Sequence, residues 1–186
     1  NWGVMYDDWH AEIKMVPIMA AIGVQSEDRV RAKELVKAGA NVLLIDVAHG
    51  HHKNVIDMVK WCKEQPEFVD VDIIAGNIAT AEAAIDLENA GADGLRVGIG
   101  GGSGCLTSAN TGVHYPMASL INECYQYKKD NGYDTKIVAD GGFRNYDDII
   151  KALMLGADYV MLGGILNKCL DRYENSEHKA KGNFTI

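Results

Sequence analysis

The sequence predicts an α/β protein whose strands run parallel in one sheet. Three observations carry this. Short runs rich in Val and Ile recur along the 186-residue chain, and they are continuous rather than alternating, as strands buried on both faces are. Each run is followed by a polar or glycine turn and then by a helical pattern. Three of the helical patterns end in Gly-Ala just before the next run. Strand, helix and strand in repetition imply parallel neighbours joined by right-handed crossovers.

Taken in order, the first run covers residues 18–24. Ser26-Glu27-Asp28 opens the helix after it, with an N-cap and acids in the first turn. Ala38-Gly39-Ala40 closes that helix, its glycine supplying the left-handed residue of a C-cap. The second run is 42–47, and Cys62 falls in the amphipathic helical stretch beyond it. The third run, 71–75, leads to a helix opened by Thr80-Ala81-Glu82 and closed by Ala90-Gly91-Ala92. The fourth, 94–98, passes into a glycine-rich segment. Cys124 lies in the helical stretch that precedes the fifth run, 136–139. Asn145-Tyr146-Asp147-Asp148 opens the last clear helix, Leu155-Gly156-Ala157 closes it, and the sixth run is 159–162. An eight-unit barrel typically takes about 250 residues. The chain therefore reads as a smaller open sheet or as a (β/α)8 barrel about two units short, six of eight being visible. Residues 1–15 and those after Leu170 are irregular, and the whole of 1–186 is expected to be a single domain.

Composition narrows the function classes. At 47% hydrophobic and 24% charged, the chain is ordinary for a soluble globular protein. No run approaches the roughly 18 apolar residues of a membrane span. A formal charge of −8 argues against a nucleic-acid surface. Cys62, Cys105, Cys124 and Cys169 form no C-x-x-C pair, and no zinc-type spacing joins them to histidine. The chain opens without a basic-then-apolar leader. A reduced, cytoplasmic protein is expected, with no membrane or nucleic-acid partner.

Ligands of parallel α/β proteins bind beyond the C-terminal ends of the strands. Polar and glycine residues collect at five successive ends: Asp46 with His49-Gly50, Gly76-Asn77, residues 98–107, Asp140-Gly141-Gly142, and Gly163-Gly164. The third is the most informative. In Gly98-Ile99-Gly100-Gly101-Gly102-Ser103-Gly104-Cys105, glycines allow close backbone approach to a ligand. A thiolate held there could act as a nucleophile beside backbone N–H dipoles. The last two glycine pairs are suited to a phosphate, and Asp140 to ribose hydroxyls. Asn77 also suits a plain turn and Asp46 a helix cap. His49, His51 and His52 have no acidic partner at ligand spacing in the sequence, so they read as solvated loop residues.

These segments, taken together from about residue 18 to 166, resemble the inosine-monophosphate dehydrogenase and guanosine-monophosphate reductase family. The matching pieces are Asp46-Val47-Ala48-His49-Gly50, Ala75-Gly76-Asn77-Ile78-Ala79-Thr80, residues 96–107, Ala139-Asp140-Gly141-Gly142 and Val160-Met161-Leu162-Gly163-Gly164. The resemblance implies an eight-stranded barrel in a tetramer, of which the first two strands and the active-site flap are not in this sequence. It implies that Cys105 attacks C2 of a purine nucleoside monophosphate and that Thr107 helps activate water or the departing amine. It assigns the phosphate to Ser103, Gly142, Gly163 and Gly164 beside Gly141, and the ribose to Asp140. Asp46 and Asn77 would lie towards the dinucleotide and the base, with Gly98 and Gly100 on the cofactor side. Carbonyls of Gly100, Gly102 and Cys105 would hold a monovalent cation, K+.

Tyr115-Pro116 and Leu162-Gly163-Gly164 are similar to the reductases, whereas Arg96-Val97-Gly98 and residues 18–39 are similar to the dehydrogenases. The expectation taken is NADPH-dependent deamination of GMP to IMP. Its alternatives are NAD-dependent oxidation of IMP to XMP, a purine-nucleotide-binding relative without turnover, and a different phosphate-binding barrel. Gly101, Leu106, Ser108 and His114 depart from the family pattern.

Overall fold

Six parallel strands lie side by side in sequence order: β1 (Met19–Ile22), β2 (Val42–Asp46), β3 (Asp72–Ile78), β4 (Gly94–Val97), β5 (Lys136–Asp140) and β6 (Tyr159–Met161). The computed structural model describes residues 17–102 and 106–168. Helices α1 (Ser26–Lys37), α2 (Lys53–Lys63), α3 (Ala81–Asn89), α5 (Met117–Asn131) and α6 (Tyr146–Met154) fill the crossovers, and a short α4 (Leu106–Thr111) follows the glycine-rich loop. Each crossover steps to the next neighbour in one sense. This puts the helices on the outer face and lets the strand twist curl the sheet into a partial barrel. Among the described residues β1 and β6 each pair on one side only.

Burial follows the pleat. Leu43, Ile45, Ile73, Ala75, Leu95, Val97, Ile137 and Ala139 point outward into the core beneath the helices. There they meet Val55, Met58, Val59 and Cys62 of α2, Leu87 of α3, and Leu120, Ile121 and Cys124 of α5. The alternate residues Val42, Ile74 and Val138 face inward, lining a concave cavity of about 940 Å³ towards the N-terminal strand ends.

The helix boundaries follow local chemistry. Thr80 caps α3, its Oγ1 accepting from the Ala83 N–H at 3.2 Å. Asn145 is the N-cap of α6, where the Asp148 carboxylate accepts the Asn145 N–H at 3.2 Å. The N-cap of α1 is Gln25, one residue before the serine the sequence suggests. The Asp28 carboxylate decides this by accepting the Gln25 N–H at 2.8 Å. Gly39, Gly91 and Gly156 take φ of +107°, +99° and +113° after their helices, the left-handed turns expected of them.

A second device recurs at the opposite end of the sheet. The residue after each Gly-Ala reaches back to the segment that begins the preceding strand. The Asn41 Oδ1 accepts the Ile18 N–H at 2.6 Å, the Asp93 Oδ2 the Ile73 N–H at 2.7 Å, and the Asp158 Oδ2 the Ile137 N–H at 2.8 Å. Lys63 and Lys128 back the two carboxylates at 2.9 and 3.1 Å. These side chains join β1 with β2, β3 with β4, and β5 with β6, while the Asn41 and Asp93 carbonyls accept the Asp72 and Lys136 N–H groups of the following strands at 3.1 and 2.9 Å.

The strands keep within two residues of their expected limits except at the end of β3. β3 runs to Ile78 rather than stopping at residue 75, because Ile78 pairs with Val97 beyond an irregularity between Gly76 and Ile78. Asn77 is therefore a strand residue and not the turn former its type suggests.

Candidate active site

The C-terminal ends of β2 to β5 surround a cavity of about 380 Å³. Strand register builds its floor. Asp46 of β2 stands beside Gly76 of β3, and Gly76 beside Arg96 of β4. In-register residues of parallel strands project from the same face. The Arg96 side chain therefore lies over Gly76 and reaches two strands across to Asp46. Only glycine permits this: a Cβ at residue 76 would sit 2.3 Å from the Arg96 carbonyl oxygen and 2.7 Å from its Cβ.

Arg96 holds two carboxylates. Its Nη1 is 2.5 Å from the Asp46 Oδ1, and its Nη2 is 3.0 Å from the Asp140 Oδ2. The first contact is an ion pair without hydrogen-bond alignment, and both Nε and Nη1 are buried without a hydrogen-bond acceptor. Asn77 completes the network, its Nδ2 donating to the Asp140 Oδ2 at 2.8 Å and to the Gly98 carbonyl at 2.7 Å. Two carboxylates against one guanidinium leave an excess negative charge, and carboxylate oxygens accept hydrogen bonds from hydroxyls. The arrangement suits a ligand rich in hydroxyl groups.

The rim is backbone. The Gly98 N–H donates to the Ile78 carbonyl at 2.9 Å, and the Tyr115 N–H to the Ile99 carbonyl at 3.3 Å, which fastens the glycine-rich loop where it leaves β4. The two glycine loops meet main chain to main chain. A Cβ on Gly141 would lie 3.0 Å from the Gly102 nitrogen, and one on Gly142 3.1 Å from the Gly101 carbonyl oxygen.

Of the residues read from the sequence, Asp46, Asn77, Gly98, Gly100, Gly102, Thr107, Asp140 and Gly141 line this one cavity. Gly142 touches the glycine-rich loop from outside the lining, and Gly163 and Gly164 follow β6 beyond it. Ser103 and Cys105 lie outside the described residues. Arg96 is the site residue that reading by strand ends missed, since it sits inside an apolar run. The signal was there: a lone cation in a buried strand needs a partner.

The histidines are less idle than expected. The His51 Nε2 is 2.8 Å from the Asp86 carboxylate of α3, an acidic partner that folding supplies from 35 residues away. The His52 ring accepts the Asn54 N–H at the start of α2, and His49 is exposed. Among the described residues no group of three or more His, Cys, Asp or Glu side chains could hold a metal ion. Burial pushes the Cys62 and Cys124 thiols up to about 12, which keeps them protonated and unreactive near neutral pH. No described helix is long and apolar enough to cross a membrane.

Comparison with known proteins bears on the whole arrangement. The IMP dehydrogenase / GMP reductase domain family matches residues 8–178. A GMP reductase of Leishmania donovani is 53% identical over 147 residues, 79% of this chain and 30% of the relative. An inosine-5'-monophosphate dehydrogenase of Staphylococcus aureus (strain Mu50 / ATCC 700699) is 47% identical over 149 residues, 80% of this chain and 30% of the relative. The chain thus spans about 30% of the length of these curated relatives. A Trypanosoma brucei GMP reductase variant, solved in complex with guanosine 5'-monophosphate, superposes with a TM-score of 0.75. It is 48% identical, over 80% of this chain and 30% of that one.

Proposed function

This chain belongs to the IMP dehydrogenase / GMP reductase family, and on that premise we propose that it carries the nucleotide-binding part of a purine-nucleotide oxidoreductase. The favoured reaction is reductive deamination of GMP to IMP. The observation that carries this reading is the Arg96-braced pair Asp46 and Asp140, set beside the glycine loop of Gly98 to Gly102. Asp140 would accept the ribose hydroxyls of the nucleoside monophosphate. The main-chain N–H groups of Gly141, Gly142, Gly163 and Gly164, with Ser103, would take its phosphate. Asp46 fits the hydroxyls of a dinucleotide entering from the more open side, being 44% exposed against 20% for Asp140.

Cys105 is the proposed nucleophile. Its thiolate adds to C2, and the exocyclic amine leaves as ammonia once Thr107 has helped it take a proton, which gives a covalent thioimidate. When bound, NADPH would supply the hydride that reduces C2. The carbon–sulfur bond then breaks, releasing IMP and returning the thiolate. Carbonyls of Gly100, Gly102 and Cys105 would supply neutral oxygen donors, which suit K+ rather than a divalent ion. Four copies in one assembly complete the proposal.

The direction favouring GMP is supported by the 53% identity to a GMP reductase. The 47% identity to a dehydrogenase supports the second reading, NAD-dependent oxidation of IMP. NADPH absorbance with GMP tests the first, in the protein and in Cys105→Ala. Oxidation that the substitution abolishes is expected. Turnover that survives in Cys105→Ala would remove the nucleophile. Turnover of IMP with NAD, and none of GMP, would reverse the direction.

A further inference from the structure

We propose that Arg96 is a positioning residue that couples the two halves of the cavity: by gripping Asp46 and Asp140 at once, it makes a nucleoside monophosphate on one side strengthen dinucleotide binding on the other, and the reverse. This rests on the reading above of which carboxylate serves which ligand.

Among the described residues, Arg96 is the side chain that touches both carboxylates. Asp46 and Asp140 stand on β2 and β5, with two strands between them, and Arg96 is the only cation among the described residues lining the cavity. A guanidinium is a rigid planar fork. One prong meets Asp46 and the other Asp140, so a tilt that improves one contact alters the other. The head is also incompletely fastened. Nε has no acceptor, and the Nη1 contact lacks hydrogen-bond alignment. It is held by two charges rather than by a full set of directed bonds, which leaves that tilt available. On the Asp140 side Asn77 shares the same oxygen, so a ligand hydroxyl donating to Asp140 redistributes three donors over one carboxylate. The fork then sets Asp46 for the second ligand. Gly76 is the other half of the device, because any side chain there closes the path from β4 to β2.

The test uses a pair that does not react, GMP and NADP+. Each is titrated calorimetrically into the native assembly of the protein, alone and with the other saturating. The protein should show each ligand tightening the other about fivefold or more. Arg96→Lys keeps the charge, but its single ammonium can serve one carboxylate at a time. It should hold one separate affinity within about threefold while the coupling factor falls to about one. Arg96→Met should lose both separate affinities and the coupling. Asp93→Asn weakens an ion pair at the opposite end of the sheet and controls for general loss of stability; its coupling should stay at the unsubstituted value. Coupling retained in Arg96→Lys, or absent from the unsubstituted protein, overturns the inference while leaving the function standing. Failure of the unsubstituted protein to bind GMP overturns both.

Discussion

Glu88 shows what one residue's surroundings do to its chemistry. It sits on α3, and both carboxyl oxygens are buried without a hydrogen-bond partner of good geometry. Burial raises its pKa above the ordinary carboxylate range, and the nearby Thr135 hydroxyl and Lys128 ammonium pull the other way without overcoming it. The native state therefore holds this proton to higher pH than the unfolded chain does. Across the window between the ordinary value, about 4.3, and the raised one, stability falls as pH rises. Glu88→Gln lacks that loss. Urea midpoints from pH 4 to 7 should show the variant gaining on the parent as pH increases; a constant difference would mean that the carboxylate is solvated. Arg96 is the opposite case. It is 14% exposed, yet its charge is answered on two sides, so burial and function reinforce each other there.

At the scale of elements, the turns that end the helices differ in what surrounds them. Gly39 and Gly156 both carry φ above +100°, but space opens around the first, while a Cβ on the second would fall 2.2 Å from the Tyr125 ring. Gly39→Ala should cost only the backbone term, about 1–2 kcal/mol. Gly156→Ala adds the overlap between α5 and the turn after α6, about 1–3 kcal/mol more. Adding Tyr125→Ala to Gly156→Ala should remove most of that excess from the mutational cost of the glycine, as a denaturation cycle would read. Equal costs at the two glycines would show that Tyr125 moves aside freely. The Gly-Ala punctuation was legible in the sequence because it is local: a helix stop and a strand start lie within three residues. The limits of β3 were not, because its last pairing, Ile78 with Val97, is made across an irregularity that only the neighbouring strand defines.

For the whole molecule, the fold was readable because a buried parallel strand and its crossover helix leave a pattern that needs no long-range information. Asp46, Asn77 and Asp140 could be picked from strand ends for the same reason. Their joining through Arg96 could not. It depends on the register of four strands whose key residues lie up to 94 positions apart, and on a glycine that looks like any other until its neighbours are placed. The side chains that tie Ile18, Ile73 and Ile137 to the next unit have a consequence for how the protein breathes. Each of these side-chain ties closes one pair of strands, while main-chain bonds continue from pair to pair, so loss of one tie should loosen its own pair before the rest of the sheet. Native-state hydrogen exchange can read this. Asp93→Ala should speed exchange at the Ile73 amide and through β3 and β4, while the Ile137 amide keeps its parent rate. An equal speeding at both sites would mean that the six strands open as a single block.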